Sequence, residues 1–414
     1  MKTNVLPEDR LRILLAHKNR KMAASAHAYV RGSTKRFYEW LDRADRVELP
    51  SGPRLWICGD CHVGNLGPVG SGSGGLAIQI RDLDQTVVGN PAHDLVRLGL
   101  SLAMAARSSD LPGVVTALMI ERMVEGYASA FRPDAFPEAD VANIPKTVEH
   151  ALRAAARRSW RHLADERIEG EAVLPLGSRF WPISEEERRE VDSFFGRDDV
   201  RELVTILRHG KDLERVKVKD AAYWRKGCSS LGRLRMAVLL QVGRGDDRRY
   251  CLMDIKEATS AAAPHDPDAP MPEDPAARVR QGATALSPYL GSRMVVGHLL
   301  DRPVFVRELL PQDLKLEIEE LSRDEAVAVA GFLARVVGTA HARQLNAVDR
   351  GRWLAELERQ HDVSIEAPSW LWNAVVDLVA IHEAAYLEHC RRFALRASRG
   401  RSDAVDEEEP DGAS

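Results

Sequence analysis

The sequence contains few cysteines, no long apolar run and almost no net charge, and each of these shortages excludes a class of protein. Five cysteines in 414 residues are too few, and odd in number, for a disulfide framework. No apolar stretch reaches membrane-spanning length, and Met1 to Arg10 lack the apolar core of a secretion signal. We therefore expect a cytoplasmic protein that has no membrane partner.

Charge and length set further bounds. Lys and Arg number 58 against 62 Asp and Glu, which leaves a net charge of −4. This balance provides no overall attraction to nucleic acid, so no nucleic-acid partner is expected. A chain of 414 residues with 44% hydrophobic residues is long enough for two lobes or domains.

Residues 57–65, with the sequence ICGDCHVGN, permit two incompatible interpretations. The two cysteines and the histidine, Cys58, Cys61 and His62, form the C-x-x-C-H pattern of covalent haem attachment. Asp60 and Asn65 form the G-D-x-x-x-x-N core of a phosphotransferase catalytic loop. The first interpretation describes an electron carrier, and the second describes a kinase-like enzyme.

The rest of the chain argues against haem, zinc and redox chemistry at the cysteine pair. Covalent haem is normally attached outside the cytoplasm, and a structural zinc site would need a second C-x-x-C pair. A thioredoxin-like pair would begin a helix, whereas Cys58 and Cys61 lie between an apolar strand and a glycine-containing loop. A redox or haem protein is therefore the least favoured alternative.

The phosphotransferase interpretation assigns a role to each polar residue of the segment. Phosphoryl transfer needs a carboxylate at the acceptor, oxygens that hold Mg²⁺ and cations over the phosphates. Asp60 would orient or deprotonate the acceptor. Asn65 and Asp82 would hold the metal, with Asp84 assisting. Each residue alone is an ordinary turn former, but their combination in one short segment is specific.

A second group of residues lies far downstream. The turn at 226–232 is made of small residues whose amides would cover phosphates, namely Gly227, Ser229, Ser230 and Gly232. Lys256 lies in an apolar strand, where an ammonium group is costly unless it is paired. A small-residue turn, a strand pair and a strand lysine is the arrangement with which kinases cover and hold nucleotide phosphates.

Local patterns place these motifs on an α+β framework. The expected strands are 54–58, 76–80, 216–218, 234–242, 250–255 and 304–308. The expected helices are 94–107, most of 114–215, 323–345 and 370–396. Residues 263–275 are predicted to form a loop, and the acidic tail 398–414 is predicted to be disordered.

The segments CGDCHVGN, DLD and GNPAHDL, at 58–65, 82–84 and 89–95, resemble the catalytic region of aminoglycoside phosphotransferase-like kinases. The resemblance implies that Asp60 is the catalytic base and that Asp94 is a buried brace for the loop. It also implies that Asn65 and Asp82 are the metal ligands. Cys58 stands where those enzymes usually have histidine, a residue that is mostly structural in the family.

A larger part of the chain resembles a bacterial family known only as domain of unknown function 2252. The matching features spread over most of residues 20–345, and they are Lys21-Met22, Ser25, 29–32, the segments 58–65 and 82–84, the turn 227–232, 256–258, 305–307 and 340–343. Their number makes the match specific, but the family name implies no activity.

The order of the motifs differs from that of kinases, in which the glycine turn and the lysine precede the catalytic loop. We therefore expect a two-lobed, protein-kinase-like fold that is circularly permuted, with a largely helical large lobe and a small antiparallel β lobe. The expected divisions are a catalytic portion at 1–209, a nucleotide-binding β lobe at 210–312, a helical remainder at 313–397 and the tail. The interpretation requires Lys256 and Asp82 to face one cleft.

In the permuted cleft, Lys256 would contact the phosphates while Arg307 and Glu308 would lie beside the adenine. His62 would order the loop, and Arg31, His341 and Arg343 are candidates for the acceptor side. The helix at 276–286, expected to carry an acidic partner for Lys256, contains neither Asp nor Glu.

The expected function is Mg²⁺-dependent transfer of phosphate from ATP, or another nucleoside triphosphate, to an unidentified small-molecule or peptide acceptor. The alternative is a pseudokinase-like module that binds nucleotide without transferring phosphate.

Overall fold

The computed structural model describes residues 5–43, 49–109, 111–134, 144–158, 173–207, 216–226, 231–243, 249–310, 321–358 and 367–405. Within these ranges the chain is a mixed α+β fold whose strands pair antiparallel in each of its sheets. The α+β class predicted from the sequence is therefore confirmed.

The first part of the chain forms helices and two small two-stranded sheets. Its elements are α1 (Pro7–Met22), α2 (Ala26–Gly32), α3 (Thr34–Arg43), β1 (Leu55–Ile57), β2 (Leu66–Gly70), β3 (Leu76–Ile80), β4 (Val87–Gly89), α4 (Ala92–Ser108), α5 (Gly113–Ser129) and α6 (Lys146–Arg157). Strand β1 pairs with β4, and β2 pairs with β3. The segments that carry the candidate catalytic residues connect these short strands.

The middle part builds the largest sheet. Its elements are β5 (Phe180–Trp181), α7 (Glu185–Gly196), α8 (Asp198–Leu207), β6 (Val216–Trp224), β7 (Arg235–Val242), β8 (Arg249–Glu257), α9 (Pro275–Leu286), α10 (Pro288–Gly291), β9 (Met294–Leu299) and β10 (Arg302–Glu308). The six strands lie in the order β5-β6-β7-β8-β10-β9. Helix α9 packs against β9 and β10 and also reaches β1.

The last part is helical and consists of α11 (Arg323–Ala342), α12 (Ala347–Glu358) and α13 (Ser369–Val405). Helix α4 is buried on nearly all sides, as expected of a helix whose sequence is apolar around most of its circumference. It packs against α2, α5, α11 and α13. This packing forms the largest apolar core of the protein, and the segments beside β1 and β4 rest on it.

The central strand β7 is buried almost throughout because both faces of the sheet are covered. Met236, Val238 and Leu240 point to one face, and Ala237 points to the other, as the two-residue period of a strand requires. The first face shares its core with Leu14 and with residues of α7 and α8. Residues that precede position 210 therefore pack with the sheet, across the division predicted at 209–210.

Several elements differ in extent from the sequence prediction. Strand β2 occupies residues predicted as a loop, because Val69 and its neighbours pair with β3 in spite of Gly67 and Pro68. The short strand β5 interrupts the predicted helical region, since Phe180 and Trp181 pair with β6. Helix α13 continues to Val405, beyond the predicted start of the tail. The rest of the tail, from residue 406, lies outside the described residues.

Among the described helices, none has the length and apolar character needed to cross a membrane.

Candidate active site

The loop from Cys58 to Asn65 connects β1 to β2, and Asp94 at the start of α4 holds its beginning. The carboxylate of Asp94 accepts hydrogen bonds from the backbone amides of Cys58, at 2.7 Å, and Gly59, at 2.9 Å. Gly59 has a φ of +72°, and a Cβ there would come within 2.1 Å of the carbonyl oxygen of Gln85. Only glycine suits this conformation and this close approach. The loop therefore enters the site along one defined path.

Asp60 is buried and paired with Arg97, a wholly buried residue of α4. Oδ1 of Asp60 accepts from Nε of Arg97 at 3.0 Å and lies 2.8 Å from Nη2. Burial raises the pKa of Asp60, and the opposing charge of Arg97 limits the rise. Oδ2 lies 3.9 Å from Nε2 of His62. The aspartate is thus clamped through one oxygen, and the other faces the histidine.

Asn65 joins the two parts of the site. The residue ends a short 3₁₀ turn, Val63–Asn65, and its Nδ2 donates to the carbonyl oxygens of Asp60, at 3.0 Å, and Asp82, at 3.5 Å. Since the amide nitrogen is engaged in this way, the amide oxygen is the atom left for a metal or a ligand. The loop and the segment that follows β3 are therefore in direct contact.

Lys256 reaches this contact from the large sheet. It lies on β8, opposite Arg235 of β7 and Phe305 of β10, and its side chain is only 3% exposed. Its Nζ lies 2.9 and 3.0 Å from the carboxylate oxygens of Asp82 and 2.6 Å from Oδ2 of Asp84. The structure thus brings Lys256 into contact with two aspartates that precede it in the chain by more than 170 positions.

The two aspartates that share this lysine have opposite pKa shifts. Burial raises the pKa of Asp84 to about 6, and the neighbouring charge of Asp82 adds to the rise. Burial also acts on Asp82, but the charge of Lys256 and a hydrogen bond from Asp84 hold its pKa well below the usual value. The side chain of Asp82 is 37% exposed and that of Asp84 is 10% exposed. Asp82 is therefore the ionised carboxylate that solvent can reach.

Two arginines hold the backbone of this acidic segment. Arg307 of β10 donates to the carbonyl oxygen of Arg81 at 2.8 Å. Arg278 of α9 donates to the carbonyl oxygens of Asp84, at 2.9 Å, and Thr86. The helix in which we expected an acidic partner for Lys256 thus supplies an arginine instead, and Asp82 and Asp84 supply the acid.

The neighbouring residues of β10 are also engaged. Nη2 of Arg307 lies 3.4 Å from Oδ2 of Asp254, which Arg235 contacts with two nitrogens. Glu308 is buried, and its carbonyl oxygen accepts from Arg293 at 2.7 Å. The predicted position of these residues beside an adenine remains a prediction.

His341 and Arg343, both candidates for the acceptor side, lie in different environments. His341 is wholly buried, with Nε2 3.2 Å from Asp94 and Nδ1 2.9 Å from the hydroxyl of Tyr127. It therefore supports Asp94 rather than lining a surface, which corrects that expectation. Arg343 follows the end of α11 and is exposed. The sequence alone did not distinguish a buried histidine from an exposed one in this helix.

The cysteine pair lies inside the core. Cys58 and Cys61 are buried free thiols, and Sγ of Cys58 is 3.7 Å from the carbonyl oxygen of Asp82. A hydrogen bond with Cys61, together with burial, raises the pKa of the Cys58 thiol well above its ordinary value. A protonated, inaccessible thiol is a poor nucleophile and a poor redox group. Within the described ranges, no group of three or more His, Cys, Asp or Glu side chains is arranged to hold a metal ion.

The predicted phosphate-covering turn is only partly described. Gly227, Ser229 and Ser230 lie outside the described residues, whereas Gly232 has a φ of +101° and lies beside Leu11 of α1. Sequence reasoning also missed two residues, Arg97 and Arg278. The available signal for Arg97 was an arginine within the apolar pattern of α4, one turn after Asp94.

Two cavities of the described surface lie elsewhere. One, of about 430 Å³, is lined by residues of α5 and α12 that include Arg122 and Glu358. The other, of about 640 Å³, lies between Val173 and Ala221 near β5. Neither is lined by the cluster of Asp60, Asp82 and Lys256.

Comparison with known proteins identifies a family. A family model described as "Uncharacterized protein conserved in bacteria (DUF2252)" matches residues 10–392. No curated protein and no solved structure was found to match the chain. Because the family model covers most of the chain, the protein belongs to this bacterial family.

Proposed function

We propose that this member of the DUF2252 family is a kinase-like phosphotransferase, which moves the γ-phosphate of ATP or another nucleoside triphosphate to a small-molecule or peptide acceptor. One observation carries the proposal. Lys256 on the large sheet contacts Asp82 and Asp84 directly beside the loop of Asp60 and Asn65. A lysine, an acidic pair and a loop aspartate in one place is the set of groups that phosphoryl transfer requires.

Asp60 is the residue that would act on the acceptor. Its Oδ1 is held by Arg97, so Oδ2 is the oxygen available to orient an acceptor hydroxyl and receive its proton. Burial favours the neutral form of this aspartate, while the Arg97 charge favours the ionised form that accepts a proton. The clamp also fixes the direction of the carboxylate, which serves positioning.

The acidic pair fits a divalent cation. The ammonium group of Lys256 already lies between the carboxylates of Asp82 and Asp84, so the pair accommodates a positive charge. Oδ1 of Asp84 is buried without a hydrogen-bond partner among the described residues. Mg²⁺ is usually held by one or two carboxylates together with substrate phosphates, and Asp82, Asp84 and the amide oxygen of Asn65 would hold it here. When bound, it would neutralise charge on the transferred phosphate.

Lys256 would hold the nucleotide. A lysine that leaves the acidic pair for nucleotide phosphates exchanges one set of anionic oxygens for another, so its burial does not oppose binding. Its place on β8, next to β10, would set the phosphates beside Asp82.

The fold supports a permuted, two-lobed kinase-like arrangement. Lys256 lies on the third strand counted from β6, and helix α9 follows that strand. In protein kinases the phosphate-binding lysine is likewise on the third strand, before helix αC. There the lysine precedes the catalytic loop, whereas here it follows the loop in the chain. A circular permutation accounts for this order, because domain termini commonly lie at the surface and close together.

The test is phosphate transfer from γ-labelled ATP to lysate metabolites and peptides, with Asp60→Ala and Asp82→Ala as variants. We expect transfer to fall at least about 100-fold in each variant, since each removes a group that acts on the reacting phosphate or acceptor. The control is Asp349→Ala, which removes a partly exposed carboxylate of α12 and is expected to leave transfer unchanged. Equal rates of phosphate transfer in the wild type and in both site variants would refute the proposed phosphotransferase activity.

A nucleotide-binding module without transfer activity is the second candidate. The observation that favours it is the lysine partner, which comes from the acidic segment and not from helix α9. Nucleotide binding that depends on Lys256, measured with a fluorescent ATP analogue, combined with equal background transfer in all variants, would establish the module instead.

A further inference from the structure

A cluster of basic side chains lies on the side of the Cys58–Asn65 loop that faces α2. It consists of His27 and Arg31 from α2, His62 from the loop and Arg97 from α4, and we call it the basic pocket. Nε2 of His62 lies 3.9 Å from Oδ2 of Asp60. The guanidinium of Arg31 lies against the backbone of Gly64, since a Cβ there would be 2.9 Å from its central carbon.

The basic pocket contains polar atoms without partners. Nδ1 of His27, Nε of Arg31, Nδ1 of His62 and Nη1 of Arg97 are buried and form no hydrogen bond within the described part of the chain. His27, His62 and Arg97 are each more than nine-tenths buried. Most buried polar groups in proteins are hydrogen-bonded, so unpaired atoms on four neighbouring side chains are unusual and point to a ligand.

The charges of the pocket indicate the sign of that partner. Arg97 is paired with Asp60, whereas Arg31 forms no ion pair with any described residue. Burial, together with the charges of Arg31 and Arg97, lowers the pKa of His27 to about 4. The ring of His27 is therefore neutral near pH 7 and carries one N–H donor. The positive charge of Arg31, together with the unpaired N–H groups of Arg31 Nε and Arg97 Nη1, suits an anion.

We propose that the basic pocket binds a carboxylate or phosphate group of the acceptor substrate, so that the acceptor is an anionic small molecule. The assignment to the acceptor rests on the phosphotransferase function proposed above. The anionic group would contact Arg31 and His62, and the acceptor hydroxyl would reach Asp60 from beside His62. Arg31, as the cation without a carboxylate partner, is the residue on which recognition depends.

The test is calorimetric titration of the full-length protein with inorganic phosphate, at ionic strength matched with sodium chloride. We expect the wild type to bind phosphate and Arg31→Gln to bind it at least about tenfold more weakly. Arg352→Gln, which removes an exposed arginine, is the matched control and is expected to bind as the wild type does. Lys256→Met is expected to retain phosphate binding, because Lys256 belongs to the nucleotide side.

Three results would overturn the proposal. They are no binding to the wild type, equal binding to Arg31→Gln, and loss of binding in Lys256→Met, which would place the phosphate at the nucleotide side. An unchanged unfolding midpoint of Arg31→Gln is required to show that this variant folds. Binding of a fluorescent ATP analogue, measured in parallel, separates the two proposals. Arg31-dependent phosphate binding without any ATP binding would retain the anion site and refute the phosphotransferase.

Discussion

The two halves of the candidate site are held in different ways. The loop Cys58–Asn65 is held by residues of α4 that follow it closely in the chain, namely Asp94, Arg97 and Ser101. The segment after β3, which carries Asp82 and Asp84, is held by Lys256, Arg278 and Arg307 from the middle of the chain. The first half therefore depends on the helical core, and the second depends on how the large sheet packs against that core.

The halves also differ in exposure and charge. Asp60 is buried against a wholly buried arginine, whereas Asp82 is 37% exposed beside its lysine. Changes in the loop half are expected to cost more stability, because they leave unpaired groups that water cannot reach. Substitutions in the acidic half are expected to cost less stability, and their cost is expected to depend on pH and on added cations.

The largest expected effect is on the loop half. Asp94→Ala would remove the acceptor for the amides of Cys58 and Gly59 and leave both donors buried and unpaired. We expect a loss of about 4 kcal/mol in the free energy of unfolding, measured by urea denaturation. Asp349→Ala, in the partly exposed start of α12, should cost less than about 1 kcal/mol. A loss of stability below about 1 kcal/mol for Asp94→Ala would contradict the role of Asp94 in holding the start of the loop.

The next effect is a pH dependence of opposite sign for His27, which lies on α2 beside the loop half, and Asp84 of the acidic half. His27 has a folded pKa of about 4, below its ordinary 6.5, so between these values the unfolded chain binds more protons and acidification favours unfolding. We expect the free energy of unfolding to fall by about 3 kcal/mol through His27 alone as the pH drops from 6.5 to 4. His27→Gln should flatten this part of the profile. If His27→Gln leaves the pH dependence of the free energy of unfolding unchanged, the lowered pKa of His27 is refuted.

Asp84 acts in the other direction. Its folded pKa of about 6 lies above its ordinary 3.8, so between these values the folded chain binds more protons and the stabilisation is lost as the pH rises. Asp84→Asn should therefore remove a decrease in stability between pH 4 and 6, measured by denaturation at a series of pH values. If Asp84→Asn and His27→Gln change the pH dependence of stability in the same direction, the opposite signs expected for these two residues are refuted.

A smaller effect is expected when Lys256 is removed from the acidic half. Lys256→Met would leave Asp82 and Asp84 without their cation, at a cost of about 2 kcal/mol at pH 7, because water reaches Asp82 and reduces the loss. Mg²⁺ should raise the unfolding midpoint of this variant more than that of the wild type, since the metal no longer competes with the ammonium group. Ca²⁺ and high sodium chloride serve as the comparison ions. An equal Mg²⁺ response in both proteins would argue against a cation site at these carboxylates.

The same contrast explains how much of the protein could be predicted. The helix that begins with Asp94 and strand 76–80 carry clear periodic and turn signals, and the structure has them at nearly the predicted positions. The kinase interpretation required Lys256 and Asp82 to face one cleft, and their side chains are in contact. That Asp82 and Asp84 are the acidic partners of the lysine was not predicted, because that partner was expected in the helix at 276–286. Arg97 and Arg278 were missed, because a buried arginine resembles a surface arginine in a single sequence. The structure also packs Leu14, α7 and α8 against the large sheet. This packing joins residues far apart in the chain, and the periodicity of a sequence does not show which distant elements pack together.

The smallest effect is expected at the cysteine pair, although it is the most conspicuous motif of the sequence. Cys61→Ala removes one buried sulfur from the core and should cost about 1 kcal/mol of stability. Phosphate transfer should stay within about twofold of the wild type, because the contacts of the thiols, with each other and with the backbone carbonyl oxygen of Asp82, do not involve the carboxylates of the site. Thiol labelling of the folded protein should spare Cys58 and Cys61, whose burial keeps reagents out, and should reach them after denaturation. Rapid labelling in the folded state, or loss of activity in Cys61→Ala with normal stability, would return the C-x-x-C-H motif to consideration and weaken the contrast between a structural and a reactive half of the loop.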